Sequence, residues 1–259
     1  MKALVLTEYN KFDYLDVPTP TPGTGEVLIK VKACAVCGSD VHGMDGSSGR
    51  RQPPDIMGHE ASGQIEAVGP GVEGWSVGDR VTFDSTVYCN QCDACLAGNV
   101  NLCTNRQVLG VSCDDYRRDG AFADYLVVPA YICYRLPDEV SYVQAAMVEP
   151  LAIAYHAATR TPVKPGMSAV IVGVGTIGLL TLQVVKAMGA GQIIAVDIDD
   201  AKLATALDNG ADAVINSAAP DALARLLAAT PGGKGVDIAF DATGIEATVD
   251  LSVRSVKLD

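Results

Sequence analysis

Four cysteines, Cys89, Cys92, Cys95 and Cys103, fall within the fifteen residues "CNQCDACLAGNVNLC" of a 259-residue chain that contains eight in all. Thiols spaced C-x2-C-x2-C-x7-C can close disulfides, exchange electrons or hold a metal. A redox CxxC needs a helix start in a thioredoxin-like setting, which this stretch lacks. A nucleic-acid zinc ribbon needs basic neighbours, whereas residues 84 to 103 contain no Lys or Arg. The spacing therefore points to a zinc ion closed in by four thiolates, a site that holds structure and does no chemistry.

A second set of donors is scattered. Cys37 lies in "CAVCGSDVHG" and His59 in "IMGHEASG", with Glu60 beside the histidine and Glu149 far downstream, just before Pro150. Mixed S, N and O ligands from separate segments suit a catalytic zinc that keeps a position for water or substrate, although other divalent ions can fit such a set. On a regular strand His59 and Glu60 would point to opposite faces, so either the chain turns there or one of them stands behind the other. Cys34, which forms a CxxC with Cys37, reads as a small core residue. His156, on an apolar helix, reads as a packed residue and not a catalyst.

Two kinds of element must position these groups. Up to about Tyr134 the sequence is a series of short β-rich runs, "EVLIKVKAC", "SGQIEAVG", "DRVTF" and "ADYLVVP", broken by Gly and Pro, which predicts a small, largely β domain over residues 1 to 150 with its cysteine lobe at 89 to 103. "PTPTPGTG" at 18 to 25 reads as a loop between two strands. "VSYVQAAMVEPLAIAYHAATR" reads as helix interrupted at Pro150. Residues 151 to 259 then alternate strand and helix, with "SAVIVG", "QIIAVD", "AVIN" and "VDIAFDATG" as strands of a parallel sheet.

"VIVGVGTIG" sets Gly173, Gly175 and Gly178 after a strand and at the head of a helix, the context in which G-x-G-x-x-G binds a dinucleotide. Gly173 permits the turn, Gly175 admits the pyrophosphate, Gly178 lets helix and strand approach, and the amides around Thr176 and Ile177 face the phosphates. Asp197, nineteen residues beyond Gly178, can accept hydrogen bonds from both hydroxyls of an adenosine ribose. With Asp199 and Asp200 close by and no arginine following, NAD is favoured over NADP.

The formal net charge of −12 disfavours general binding to nucleic acid or anionic lipid, which leaves small molecules as partners. No segment has signal-peptide or membrane-spanning character, and a cytoplasmic protein is predicted.

With these residues assembled, the chain resembles the zinc-containing medium-chain dehydrogenases, the superfamily of alcohol, sorbitol (L-iditol) and threonine dehydrogenases. "GHEASGQIEAVGPGV" at 58 to 72 fits that family's signature GHE-x2-G-x5-G-x2-V, and "GDRV", the cysteine lobe and "GVGTIG" follow in the family's order. The resemblance implies an α/β protein: a GroES-like catalytic domain, then a Rossmann domain whose sheet ends here after four of six strands, leaving the fourth as an apolar edge. It implies a structural zinc in the lobe and a catalytic zinc on Cys37, His59 and Glu60, with Glu149 where polyol-type relatives place a glutamate on the metal or its water. Ser39 would take the substrate proton and His42 pass it to solvent.

The implied substrate is a secondary alcohol or polyol of the sorbitol/L-iditol type, with L-threonine and 2,3-butanediol as alternatives and NAD as hydride acceptor. Arg50 and Arg51 raise the hypothesis of a phosphorylated polyol, against a preferred reading as a solvated surface pair. The 259 residues are expected to belong to a longer, homo-oligomeric gene product. The alternative is a naturally short zinc- and nucleotide-binding module without turnover.

Overall fold

The β-rich run "EVLIKVKAC" produces the strand Glu26–Ala35, which buries Val27, Leu28 and Ile29 in succession and pairs on both sides. The computed structural model describes residues 1 to 258, the side chain of Asp115 excepted. The chain divides into two compact units, Met1–Glu149 and Pro150 onward.

In the first unit a five-stranded antiparallel sheet runs in the order Tyr125–Pro129, Glu26–Ala35, Glu60–Val68, Arg80–Phe83, Cys133–Arg135. Its core is built from Val27, Ile29, Ile65, Val81, Leu126 and Val128 with their neighbours. Cys34 is half-buried against this core, and burial pushes its thiol up to about 12, as befits a small packed residue. The register pairs Ala35 with Glu60. That pairing delivers the residue after the next, Cys37, beside the start of the strand Glu60–Val68. Smaller three-stranded sheets flank this frame, one of Lys2–Glu8, Lys11–Asp16 and Asp55–Ile56, the other of Thr86–Val87, Gln107–Leu109 and Arg117–Arg118. The proline-rich residues 18 to 25 join the strands Lys11–Asp16 and Glu26–Ala35 without regular structure.

The helical stretch around Pro150 breaks earlier than its sequence suggests. The helices are Tyr142–Ala146 and Val148–Thr159, separated at Met147. Pro150 is the third residue of the second helix, a first-turn position where the missing N–H would have had no intrahelical partner. The proline therefore starts a helix instead of interrupting one. His156 on this helix is exposed, not packed as expected.

The second unit has a parallel sheet in the order Ala213–Asn216, Gln192–Asp197, Ser168–Val172, Ile238–Asp241. In sequence terms this is 3-2-1-4, the start of a Rossmann sheet, with the fourth strand at an edge. The central strands read as continuous apolar runs because both faces are covered. Ala169, Ile171, Ile193 and Ala195 feed one core, and Val170, Val172, Ile194 and Val196 the other. Among the described residues no helix is long and apolar enough to cross a membrane.

Candidate active site

The residues Met57 to Glu60 turn where a regular strand would have separated two ligands. Gly58 has φ 95°, a left-handed value open to glycine, and the strand begins only at Glu60. This bend answers the geometric question posed by adjacent His59 and Glu60. Backbone bonds from Gly120 to Ile56 O (2.6 Å), Ala121 to Gly58 O (2.8 Å) and Phe122 to Met57 O (2.9 Å) hold the bend. A Cβ on Gly120 would lie 2.4 Å from the carbonyl oxygens of both Met57 and Gly58, so only glycine permits the approach.

Cys37, His59 and Glu60 converge there, each offering a donor atom, all within 4.8 Å of one another. His59 is 9% and Glu60 5% exposed. Cys37 caps the helix Gly38–Met44, and its backbone N–H donates to Asp40 Oδ2 at 3.0 Å. The other oxygen, Oδ1, lies 3.5 Å from His59 Nδ1 and 3.6 Å from Arg51 Nη2. With Nδ1 turned to Asp40, Nε2 is the ring nitrogen left for a metal. Burial opposes charge on His59, but contacts with Asp40 and Cys37 prevail and push it up to about 10. Burial likewise opposes charge on Asp40, yet His59, the Cys37 amide and Arg51 hold its carboxyl below the usual range. A thiolate, a carboxylate and an imidazole around one point, in surroundings that favour positive charge, fit a divalent zinc-class ion.

Asp40 was not singled out from the sequence, although its spacing three residues after Cys37 is that of a capping box. Glu149 stands outside the group of three. It accepts a hydrogen bond from Ser85 Oγ at 3.3 Å, and burial raises its carboxyl above the usual range. His59 and Glu149 line one cavity of about 390 Å³, with Ser39, His42, Ser85 and Arg50 among its other walls. Ser39 and His42 sit three residues apart on the helix Gly38–Met44, hence on one face. Arg50 and Arg51 do not form a surface pair, because Arg50 is exposed while Arg51 is 4% exposed against Asp40.

The lobe gathers Cys89, Cys92, Cys95 and Cys103, whose sulfurs also lie within 4.8 Å of one another. All eight cysteines are free thiols. A tetrahedron with Zn–S of about 2.3 Å has S···S edges of roughly 3.8 Å, so this cage suits the ion. Backbone amides of Cys95 and Thr104 pull the Cys92 thiol down to about 6, while burial and the neighbouring sulfurs push Cys95 up to about 12. Four sulfurs this close resist sharing negative charge without a cation among them.

In the second unit the three glycines differ in what surrounds them. Gly173 has φ 83°, and a Cβ on it would meet Thr243 Cγ2 at 2.3 Å. A Cβ on Gly178 would lie 1.8 Å from the Gly173 carbonyl oxygen, whereas one on Gly175 would meet nothing within 4 Å. Gly175 and Thr176 are exposed at the head of the helix Thr176–Ala187, with Ile177 half-buried behind them. An open glycine at the head of a helix leaves room for a phosphate to approach the backbone amides there. Asp197 is 9% exposed; its Oδ2 accepts from Val174 N at 2.9 Å and its Oδ1 from Ile198 N and Asp199 N at 2.8 and 3.1 Å. Three backbone amides thus hold the carboxylate in place, with Oδ2 the oxygen carrying the fewer of these bonds. Asp199 caps the next helix, accepting from Ala201 N and Lys202 N.

Residues 23 to 138 match the alcohol dehydrogenase GroES-like domain and residues 176 to 259 the zinc-binding dehydrogenase family. The chain is 38% identical to sorbitol dehydrogenase of Bacillus subtilis over 260 residues, 99% of this chain and 72% of that one. It is 36% identical to L-threonine 3-dehydrogenase of Pyrococcus horikoshii over 247 residues, 94% and 69% of the two chains. Among solved structures, galactitol-1-phosphate dehydrogenase from Escherichia coli superposes with a TM-score of 0.89 at 30% identity, covering 99% of this chain and 72% of that one. The chain belongs to the zinc-binding alcohol dehydrogenase family, with a GroES-like first unit and a Rossmann second unit.

Proposed function

We propose that the protein oxidises a secondary alcohol flanked by further hydroxyls, a polyol of the sorbitol/L-iditol type, and passes hydride to NAD. The observation that carries this is the convergence of Cys37 and Glu60 on His59, which lines a cavity that also presents Ser39 and His42. Those three residues would hold the zinc, and Cys89, Cys92, Cys95 and Cys103 a second ion that stiffens the lobe. When bound, zinc supplies a Lewis acid that acidifies the substrate hydroxyl, and the nicotinamide supplies the hydride acceptor.

The chain's own part is positioning and proton transfer. Ser39 Oγ would accept the hydroxyl proton as it gives up its own toward His42, which is exposed on the same helix face and would release it to solvent. Glu149, kept in place by Ser85, faces the cavity as a carboxylate whose burial suits it to approach the metal or its water. Gly173, Gly175, Thr176, Ile177 and Gly178 would receive the pyrophosphate and Asp197 the adenosine ribose, and the acidic run Asp197, Asp199, Asp200 selects NAD over NADP.

A panel of sorbitol, L-iditol, xylitol, 2,3-butanediol and L-threonine with NAD, followed by NADH absorbance, tests the reading. Turnover of the polyols above the other two supports it. Binding of both metals and NAD with no turnover of any panel member favours the alternative of a binding module. A phosphorylated polyol is a second substrate reading, carried by exposed Arg50 on the cavity wall. Equal turnover of galactitol 1-phosphate and galactitol, by wild type and by Arg50→Ala alike, removes it.

A further inference from the structure

We infer that Arg51 is a positioning residue for the metal ligands, fixing Asp40 so that one of its oxygens caps Cys37 and the other orients His59. The inference rests on the reading of Cys37, His59 and Glu60 as a zinc site, and Arg51 itself acts only through Asp40.

The fold goes to some length to bury this side chain. The backbone on either side of Arg51 is pinned to one residue: Ser112 N donates to Arg50 O at 3.2 Å, Gln52 N donates to Ser112 Oγ at 2.5 Å, and Ser112 Oγ donates to Gln52 O at 3.1 Å. The aliphatic stem lies over Gly43, where any Cβ would come 2.3 Å from Arg51 Cγ. The guanidinium ends 3.6 Å from Asp40 Oδ1. Arg51 is 4% exposed, Asp40 3% and Asp55 4%. Arg51 Nε, Asp55 Oδ2, Asp40 Oδ1 and His59 Nδ1 are all buried and all without a hydrogen-bond partner, so the contacts of Asp40 Oδ1 with Arg51 and His59 are ion-pair contacts and not hydrogen bonds. Arg51 thus meets Asp40, which faces a metal ligand, and the buried Asp55 is near enough to feel its charge.

Charge counting gives the reason. The two charges of a zinc ion balance the Cys37 thiolate and the Glu60 carboxylate, which leaves Asp40 as a further buried anion. A buried charge persists in one position only when it is paired. With Arg51 removed, Asp40 gains by rotating toward the cavity and water, and both of its duties fail together: the cap on Cys37 and the contact with His59 Nδ1. The planar guanidinium keeps its charge, so the arginine side of the pair does not titrate.

The test compares wild type with Arg51→Met and Arg51→Lys in the full chain, reading zinc content, chelator competition and the absorption bands of the cobalt-substituted protein. Outer-shell partners typically contribute about 10–100-fold to metal affinity. Arg51→Met is expected to weaken the mixed-ligand site by that factor and shift its cobalt bands, while the four-cysteine site keeps its ion as an internal control. Arg51→Lys, which restores the charge without the fork, is expected to recover part of the loss. A folded Arg51→Met protein that holds both ions as tightly as wild type, with unchanged cobalt bands, overturns the proposal. Where Arg51→Met fails to fold, wild-type affinity and bands in Arg51→Gln overturn it instead. A wild-type chain that binds only the lobe ion overturns the zinc-site reading, and the proposal with it.

Discussion

Gly178 packs directly on Gly173: a Cβ at position 178 would lie 1.8 Å from the Gly173 carbonyl oxygen, while position 175 between them faces open space. The two glycines therefore fail in different ways. Gly178→Ala must push the helix Thr176–Ala187 off the strand Ser168–Val172, and a loss of about 1–3 kcal/mol in stability is expected, with NAD affinity falling alongside. Gly175→Ala is expected to melt like wild type and still lose NAD affinity, because its methyl group would occupy the proposed pyrophosphate position. Thermal denaturation paired with NADH fluorescence titration separates the two.

In the proposed reading Asp197 would join cofactor choice to local structure. Its carboxylate takes the Val174 amide as well as two amides on its own turn, so Asp197→Asn disturbs the glycine loop and the ribose contact together. Removing hydrogen bonds to a charged acceptor costs about 1.5–3 kcal/mol each when made, and NAD affinity is expected to drop at least roughly tenfold. Discrimination against NADP should shrink at the same time, since the phosphate then meets one anion fewer. Paired NAD and NADP titrations of wild type and variant report both effects, and an unchanged preference would discount Asp197 as the selector.

The two metal sites should be separable by single substitutions. Cys37→Ser is expected to abolish turnover and release one ion per chain, with the melting temperature little changed. Cys103→Ser, at a fully buried position in the lobe, should release the other ion and lower the melting temperature sharply, because binding to a structural thiolate site contributes directly to folding. Metal analysis by mass spectrometry alongside calorimetry distinguishes them; loss of both ions from either variant would mean the sites are not independent.

Asp55 gives a pH signature. Burial raises its carboxyl to about 6, against an ordinary value near 3.8. The folded chain then holds a proton that the unfolded chain has released between those values, so stability falls as pH rises from about 4 to 6 and stays lower above it. Asp55→Asn lacks this dependence. Relative to wild type it is expected to gain on the order of 2–3 kcal/mol at pH 8 and little at pH 4. Urea unfolding at both values measures the difference, and a gain independent of pH would refute the titration account.

The parts of the site that could be read from the chain are those whose geometry is local. The lobe donors lie in one short segment, and the glycine loop needs only a strand before it and a helix after it. Asp40 escaped notice because its second role depends on the register that sets Ala35 opposite Glu60, which spacing along the chain does not reveal. Arg51 reads as half of a surface pair because its burial depends on the absence of a side chain at Gly43 and on Ser112, which holds the neighbouring Gln52 from 60 residues away. The place of Glu149 in the cavity wall was hidden for a similar reason: its anchor, Ser85, comes from a different part of the chain. The break at Met147 was misplaced because proline is compatible with a first helical turn.

The difference between a local and a distant donor set also bears on how the protein is made. The lobe can close over fifteen residues, a short loop with a small entropic cost, so it can capture its ion on a nascent chain before any long-range pairing exists. The other site joins Cys37 to His59 and Glu60, and comes into being only after Glu26–Ala35 and Glu60–Val68 have found their register. With both sites loaded as proposed, topology would order them: the lobe could take its ion early, and the mixed-ligand site would receive its ion only in a scaffold already built.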